Sequence, residues 1–265
     1  MNYDKSKIES MCTDFREHAD DSLLAGFYAV TGSHIYGFAS VDSDVDVRGF
    51  HVADGRRYAL LNEPQEQYII NQGNITQGYE EYENIDLVSY ELKKFTSLLY
   101  KSNFNILELL FCGDTVIDST NGAIHELRRI ISEELPLNVP KTYHGMAKSN
   151  YHKFLNPNRD SFQPTAKKYL YVLRGLLAAQ YVSEEREIES DIRELAKWHG
   201  EYYGLVGELI EIKFDHEHAS VDYDLRQRAE DAIQTLFDEG EYPQDYDKTS
   251  YREKLNNFTL KARAL

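Results

Sequence analysis

The sequence predicts an α+β protein: a small mixed sheet with helices in the first half, followed by an all-helical second half. Three observations carry this. Short β-leaning runs at residues 25–31, 44–52 and 84–90 alternate with apolar patterns of helical spacing. A glycine-serine bend, Gly32-Ser33, separates the first two runs. After Pro136 and Pro140, nearly every segment carries an apolar stripe at three- and four-residue steps. The break is expected near residues 135–141, giving domains 1–137 and 138–265.

In chain order, residues 3–24 are amphipathic, with Ile8, Met11, Phe15 and His18 at helical spacing and acids opposite. They read as a helix that packs on the sheet. Residues 25–30 (A-G-F-Y-A-V) are apolar and aromatic, a strand ending at Thr31-Gly32. Asp44, Val45, Asp46 and Val47 alternate polar and apolar, so the next strand is placed at 44–52. Residues 53–57 form a turn. Tyr68-Ile69-Ile70 and Ile75-Thr76-Gln77 lean to β structure, as a hairpin or an irregular insertion. The 84–90 strand runs into a helix at 91–100, with Leu92, Phe95, Leu98 and Leu99 on one side. Residues 102–105 cap a helix at 106–111. Thr115-Val116-Ile117 is extended, and 121–135 is helical. The second half reads as helices at 142–155, 164–182, 187–198, 202–214 and 223–239, with a last one at 251–260.

The chain of 265 residues is long enough for a substantial core, and its 42% hydrophobic and 12% aromatic content is that of a globular protein. No run of about 18 apolar residues exists, so no membrane span is expected. The first ten residues hold no leader-like apolar run, and a cytoplasmic protein is the simplest expectation. Cys12 and Cys112 are the only cysteines, and no Cys/His spacing suggests zinc. The formal net charge is −16, from 45 acidic and 29 basic residues. That opposes uniform binding of nucleic acid but leaves room for a local basic groove. There is no P-loop, dinucleotide fingerprint or nucleophile-elbow motif.

The chemistry concentrates in residues 30–49, V-T-G-S-H-I-Y-G-F-A-S-V-D-S-D-V-D-V-R-G. Gly32 permits unusual backbone angles and the close approach of a ligand. Ser33 offers a hydroxyl and opens a short helical turn whose N–H groups suit a phosphate. On a strand, Asp44 and Asp46 share one face while Val45 and Val47 take the other. Two such carboxylates are hard oxygen ligands for Mg²⁺ or Mn²⁺, and a phosphate cradle beside them suits nucleotidyl transfer. Arg48 sits on the same face, to touch a phosphate or to balance the carboxylates. Asp-x-Asp alone is commonly just solvated; the preceding strand and Gly-Ser pair shift the balance toward function.

This stretch resembles the signature of the DNA polymerase beta nucleotidyltransferase superfamily, and more narrowly its RlaP-type, RNA repair-associated branch. Ten residues separate Ser33 from Asp44, a spacing also similar to minimal nucleotidyltransferase antitoxins. The resemblance extends through Y-E-L-K-K-F at 90–95 and N-I-L-E-L-L at 105–110, then weakly to 167–174. It covers about half of the chain.

The resemblance implies a polymerase-beta-like fold, with Mg²⁺ or Mn²⁺ held by Asp44, Asp46 and a third carboxylate from a neighbouring strand. Asp86 matches that role best, with Glu83 or Asp54 as fallback; a strand-end aspartate serves equally well as a helix cap. It implies an NTP held by Gly32, Ser33 and Arg48, with Lys168, Tyr171 and Arg174 of the helical half. Those three are almost as readily a solvated basic patch on an otherwise core-packing helix. The implied reaction is attack of a hydroxyl on the α-phosphate with release of pyrophosphate. The implied acceptor is RNA, a tRNA or a damaged 3′ end. Tyr143, His144, Lys148 and Tyr151 form a polar-aromatic face suited to stacked bases. Two alternatives stand beside this: nucleotidylation of a protein, and a nucleotide-binding protein without catalysis.

Overall fold

The computed structural model describes residues 3–19, 23–40, 43–70, 82, 84–215, 219–243 and 246–264. It divides into two compact units. The first comprises Met1–His34, Asp44–Glu134 and Asp247–Leu265, and the second comprises Ile35–Ser43 and Leu135–Tyr246. Along the chain the first unit gives way to the second between Glu134 and Leu135. A nine-residue segment after the Gly-Ser bend nevertheless belongs with the second unit, and the last helix with the first. Those assignments depend on packing partners distant in sequence.

The first unit is built on a five-stranded mixed sheet of order β3-β4-β2-β1-β5. Its strands are β1 (Leu23–Thr31), β2 (Val45–Ala53), β3 (Gln67–Ile70), β4 (Ile85–Glu91) and β5 (Asp114–Asp118). β1 pairs antiparallel with β2 and β5, β3 pairs antiparallel with β4, and β2 and β4 are parallel. Helix α1 (Lys5–His18) starts at Asp4, whose carboxylate accepts from the N–H groups of Ser6 and Lys7. Its Ile8, Met11 and Phe15 pack against Tyr28, Val30, Val45, Val47, Ile85 and Leu87. Because side chains alternate along a strand, the residues between these apolar ones project from the other face. There Phe50 packs against Phe27 and against Phe95 of α2 (Leu92–Tyr100). Gly49 is required where β1 and β2 meet, since a Cβ would stand 2.0 Å from the Phe27 carbonyl oxygen.

Three further helices complete this unit: α3 (Phe104–Phe111), α4 (Ala123–Glu133) and, from the end of the chain, α10 (Thr249–Ala262). α10 lies against α2 and α4. Just after it, the Arg263 guanidinium pairs with the buried Glu91 carboxylate at 2.8 Å. The expected second β segment at 75–77 lies outside the described residues.

The second unit is helical, with α5 (Val139–Asn150), α6 (Ala166–Glu185), α7 (Ile192–His199), α8 (Tyr203–Asp215) and α9 (Tyr223–Glu239). α6 is its axis, packed by the other four. Two helices differ most from their sequence reading. The expected 142–155 helix loosens into a π turn at Tyr151–Leu155. α7 starts five residues later than expected, because Asp191 takes the N-cap and accepts from the Arg193 N–H at 2.8 Å. Among the described residues no helix is long and apolar enough to cross a membrane.

Candidate active site

The Gly-Ser bend and β2 meet at the end of β1. Thr31 lies opposite Asp46 in the register, and its hydroxyl donates to the Asp46 carbonyl at 3.3 Å. Gly32 then turns with φ +66°, a left-handed conformation that disfavours a side chain. A Cβ there would stand 2.0 Å from Asp46 Oδ2. Glycine therefore does two things: it makes the turn, and it lets the Asp46 carboxylate lie on the bend. Ser33 follows, buried in the short 3-10 turn Gly32–His34.

Asp46 on β2 is directly opposite Asp86 on β4 in the parallel register. Adjacent strands run about 4.8 Å apart, and opposed residues share a face. Val45, Val47, Ile85 and Leu87 all face the α1 core, so both aspartates project from the other side. Arg48 projects with them, its Nη2 3.9 Å from Asp46 Oδ1.

Asp44 is exposed and sits just before β2, which starts at Val45 rather than at Asp44 as the alternation had suggested. Among the described residues, no three His, Cys, Asp or Glu side chains cluster closely enough to hold a metal ion. The register thus brings together Asp46 and Asp86, without a closed three-carboxylate group. The donor chemistry still fits Mg²⁺ or Mn²⁺, which bind through one or two carboxylates when phosphates and water supply the remaining oxygens. Asp46 and Asp86 are the residues that would hold the ion. Of the fallback carboxylates, Glu83 lies outside the described residues. Asp54 caps a turn by accepting from the Arg56 N–H and pairs with the Arg56 guanidinium, which holds its pKa down to about 2.

The other expected nucleotide residues belong to the second unit, on α6. Tyr171 packs edge-on against Tyr36 and Phe38, at 5.9 and 5.3 Å between ring centroids. Arg174 is only 1% exposed, and its guanidinium carbon lies 3.7 Å from the Tyr36 ring centroid. Lys168 Nζ lies 3.8 Å above the Phe154 ring. Tyr171 and Arg174 thus grip the Ile35–Ser43 segment, which joins the Gly-Ser bend to Asp44 along the chain. Lys213, also 1% exposed, donates to Ser40 Oγ at 3.0 Å on the same segment. Sequence reasoning missed the Lys213 anchor, because its partner lies 173 positions away. The aromatic run after the bend, Tyr36 and Phe38, was the available signal.

Of the expected polar-aromatic face, Tyr143 is fully buried. His144, Lys148 and Tyr151 line a cavity of about 290 Å³ with His152, Gln234, Phe237 and Asp238. Other cavities lie between α2 and α10, about 250 Å³, and between α4 and α10, about 300 Å³. None of these three includes Asp44, Asp46 or Asp86.

A family model described as the RNA repair pathway DNA polymerase beta family, RlaP, matches residues 9–261. That is well beyond the half of the chain that the motifs had suggested. The chain is 32% identical over 164 residues to the uncharacterized protein YcgL of Bacillus subtilis (strain 168), covering 61% of this chain and 57% of that one. It is 29% identical over 175 residues to the uncharacterized protein MJ0002 of Methanocaldococcus jannaschii, covering 62% and 63%. The chain thus spans less than two thirds of the length of these relatives. A crystal structure of a nucleotidyltransferase-like protein from Exiguobacterium sibiricum 255-15 aligns with TM-score 0.37 and 10% identity, over 97% of this chain and 77% of that one.

Proposed function

The chain belongs to the RlaP family, the RNA repair pathway DNA polymerase beta family, and on that premise we propose that it transfers a nucleoside monophosphate from an NTP to a hydroxyl. The observation that carries the proposal is the facing pair Asp46 and Asp86, with the Asp46 carboxylate seated on the Gly32 bend. In the reaction, the acceptor oxygen forms a bond to the α-phosphorus. The bond from that phosphorus to the oxygen bridging to the β-phosphate breaks, and pyrophosphate leaves. Asp86 takes the acceptor's proton. Gly32 makes room for the Asp46 carboxylate on the bend, and Ser33 and Arg48 receive the triphosphate. Within the second unit, Lys168 lies over Phe154, and Tyr171 and Arg174 hold Tyr36 and Phe38. Mg²⁺ or Mn²⁺, held by Asp46 and Asp86 with Asp44 joining on NTP binding, would neutralise developing charge on the phosphates.

The proposed acceptor is an RNA 3′ end, of a tRNA or a damaged RNA. The net charge of −16 favours, as a second reading, nucleotidylation of a protein, because an acidic chain repels a polyanion. Incubation with each α-labelled NTP, Mg²⁺, total RNA and cell lysate separates the two by which fraction takes up label. Label in neither fraction, together with no heat of NTP and Mg²⁺ binding in a titration, would remove the enzyme altogether.

A further inference from the structure

Positive charge is gathered in one part of this acidic chain. Residues 141–168 hold six Lys and Arg against one acid, Asp160, within a protein of net charge −16. This stretch covers α5, the π turn and the entry to α6, all in the second unit. Lys148, His152 and Lys153 are exposed there.

Aromatic rings lie between the cations. Lys168 Nζ and Lys153 Nζ stand 3.8 and 4.8 Å from the Phe154 ring centroid. The Arg226 guanidinium of α9 lies 5.0 Å from the Phe162 ring. Glu230, an acid of α9, accepts from the hydroxyls of Tyr151 and Tyr169 at 2.9 and 2.7 Å. The π turn widens the backbone at Tyr151–Leu155, and such turns recur at functional sites. Beside it opens the 290 Å³ cavity, ample for one nucleobase, with Tyr151, His152 and Phe237 offering rings, Gln234 an amide, Lys148 a cation and Asp238 the one acid of the lining.

We propose that this face of the second unit, from α5 through the π turn to α6, is a docking surface for single-stranded RNA. The proposal rests on the reading of RNA as acceptor. Cations set along a strand neutralise phosphates, and rings between them stack unpaired bases. A duplex hides its base faces, and an acidic peptide has none, so the rings favour a single strand.

The test is anisotropy of a labelled single-stranded oligoribonucleotide of about 12 nucleotides, a length within known site sizes, without NTP or metal. Wild type and Asp46→Asn are expected to bind alike, which separates docking from transfer. Lys148→Glu with Lys153→Glu, both exposed positions, is expected to keep the melting temperature. It should weaken binding by at least about 10-fold and lower the salt slope by about 2. Phe154→Ala is expected to weaken binding by about 5-fold or more. Wild-type affinity in the Lys148/Lys153 double variant overturns the proposal, as does no binding by wild type. Equal affinity for a poly-glutamate peptide also overturns it, since the surface would then read acidic protein. If RNA binds as described but no label is ever transferred, the transferase reading fails and the docking surface stands.

Discussion

Asp46 and Asp86 face each other across the parallel strands β2 and β4, and Gly32 lies directly beneath the Asp46 carboxylate. Neither aspartate belongs to the core-facing set of its strand. Each is flanked by residues that do: Val45 and Val47, Ile85 and Leu87. Burying those four side chains against α1 orients the carboxylates, since a one-residue slip would turn either strand over. The pair is thus held by hydrophobic packing on the far side of the sheet.

The contact between Gly32 and Asp46 predicts a specific coupling. Gly32→Ala places a methyl group where Asp46 Oδ2 now lies and forces a side chain into a left-handed conformation. The conformational strain alone costs about 1–2 kcal/mol. In an Asp46→Ala background most of the steric part is lost, leaving only a 3.1 Å approach to the Cβ of residue 46. Gly32→Ala is therefore expected to destabilise the double variant less than it destabilises wild type in urea titrations. Equal losses in both backgrounds would show that the carboxylate does not sit on the bend.

Arg263 and Glu91 make a second test, in the first unit. The Glu91 side chain is 1% exposed and Arg263 13%, so removal of the cation leaves Glu91 Oε1 buried without its partner, while Oε2 keeps its bonds from the Tyr58 hydroxyl and the Lys93 N–H. Arg263→Ala is expected to destabilise by about 3–5 kcal/mol, and Glu91→Gln in that background to recover part of the loss. A loss below about 1 kcal/mol, the range of exposed pairs, would mean the ion pair is not buried in solution.

In the second unit, Arg174 over Tyr36 is a desolvated cation–ring contact at 3.7 Å. A cycle of Arg174→Met and Tyr36→Leu is expected to give a coupling of about 2 kcal/mol. Additive effects would contradict the grip on the Ile35–Ser43 segment.

His144 sets a pH dependence. Burial pushes its pKa below the ordinary 6.5, against a smaller opposite effect of the Phe237 backbone. The unfolded chain therefore takes up a proton that the folded chain resists. Stability from this residue is whole above the ordinary value and is lost as pH falls below it toward the lowered one. Comparing urea midpoints at about pH 8 and about pH 5, wild type should lose more on acidification than His144→Gln. A greater loss in the variant would reverse the sign and refute the burial.

Much of this site was legible in the sequence, and for definite reasons. The Val45-Asp46-Val47 alternation and the run from Ile85 to Leu87 are local patterns, so the faces of Asp46 and Asp86 follow from them. The Gly-Ser pair after an apolar strand is equally local. What was not legible depends on distant partners. Asp44 falls outside β2, whose pairing with β4 starts at Val45 and Ile85. The need for Gly49 arises from the Phe27 carbonyl on the neighbouring strand. α10 joins the first unit through contacts with α2 and α4, which its own apolar stripe could not announce: Tyr251, Leu255 and Phe258 fit any helical neighbour. The affinity of Ile35–Ser43 for the second unit depends on Arg174, Tyr171 and Lys213, all more than a hundred residues away.

Nucleotidyl transfer at the facing aspartates is the central claim. The decisive measurement is pyrophosphate release from each NTP with Mg²⁺ and an RNA acceptor, by wild type and by Asp46→Asn and Asp86→Asn of confirmed fold. Release by wild type, reduced at least about 100-fold in each variant, is the predicted result. Undiminished release by either variant, or none by wild type with any NTP, would contradict it.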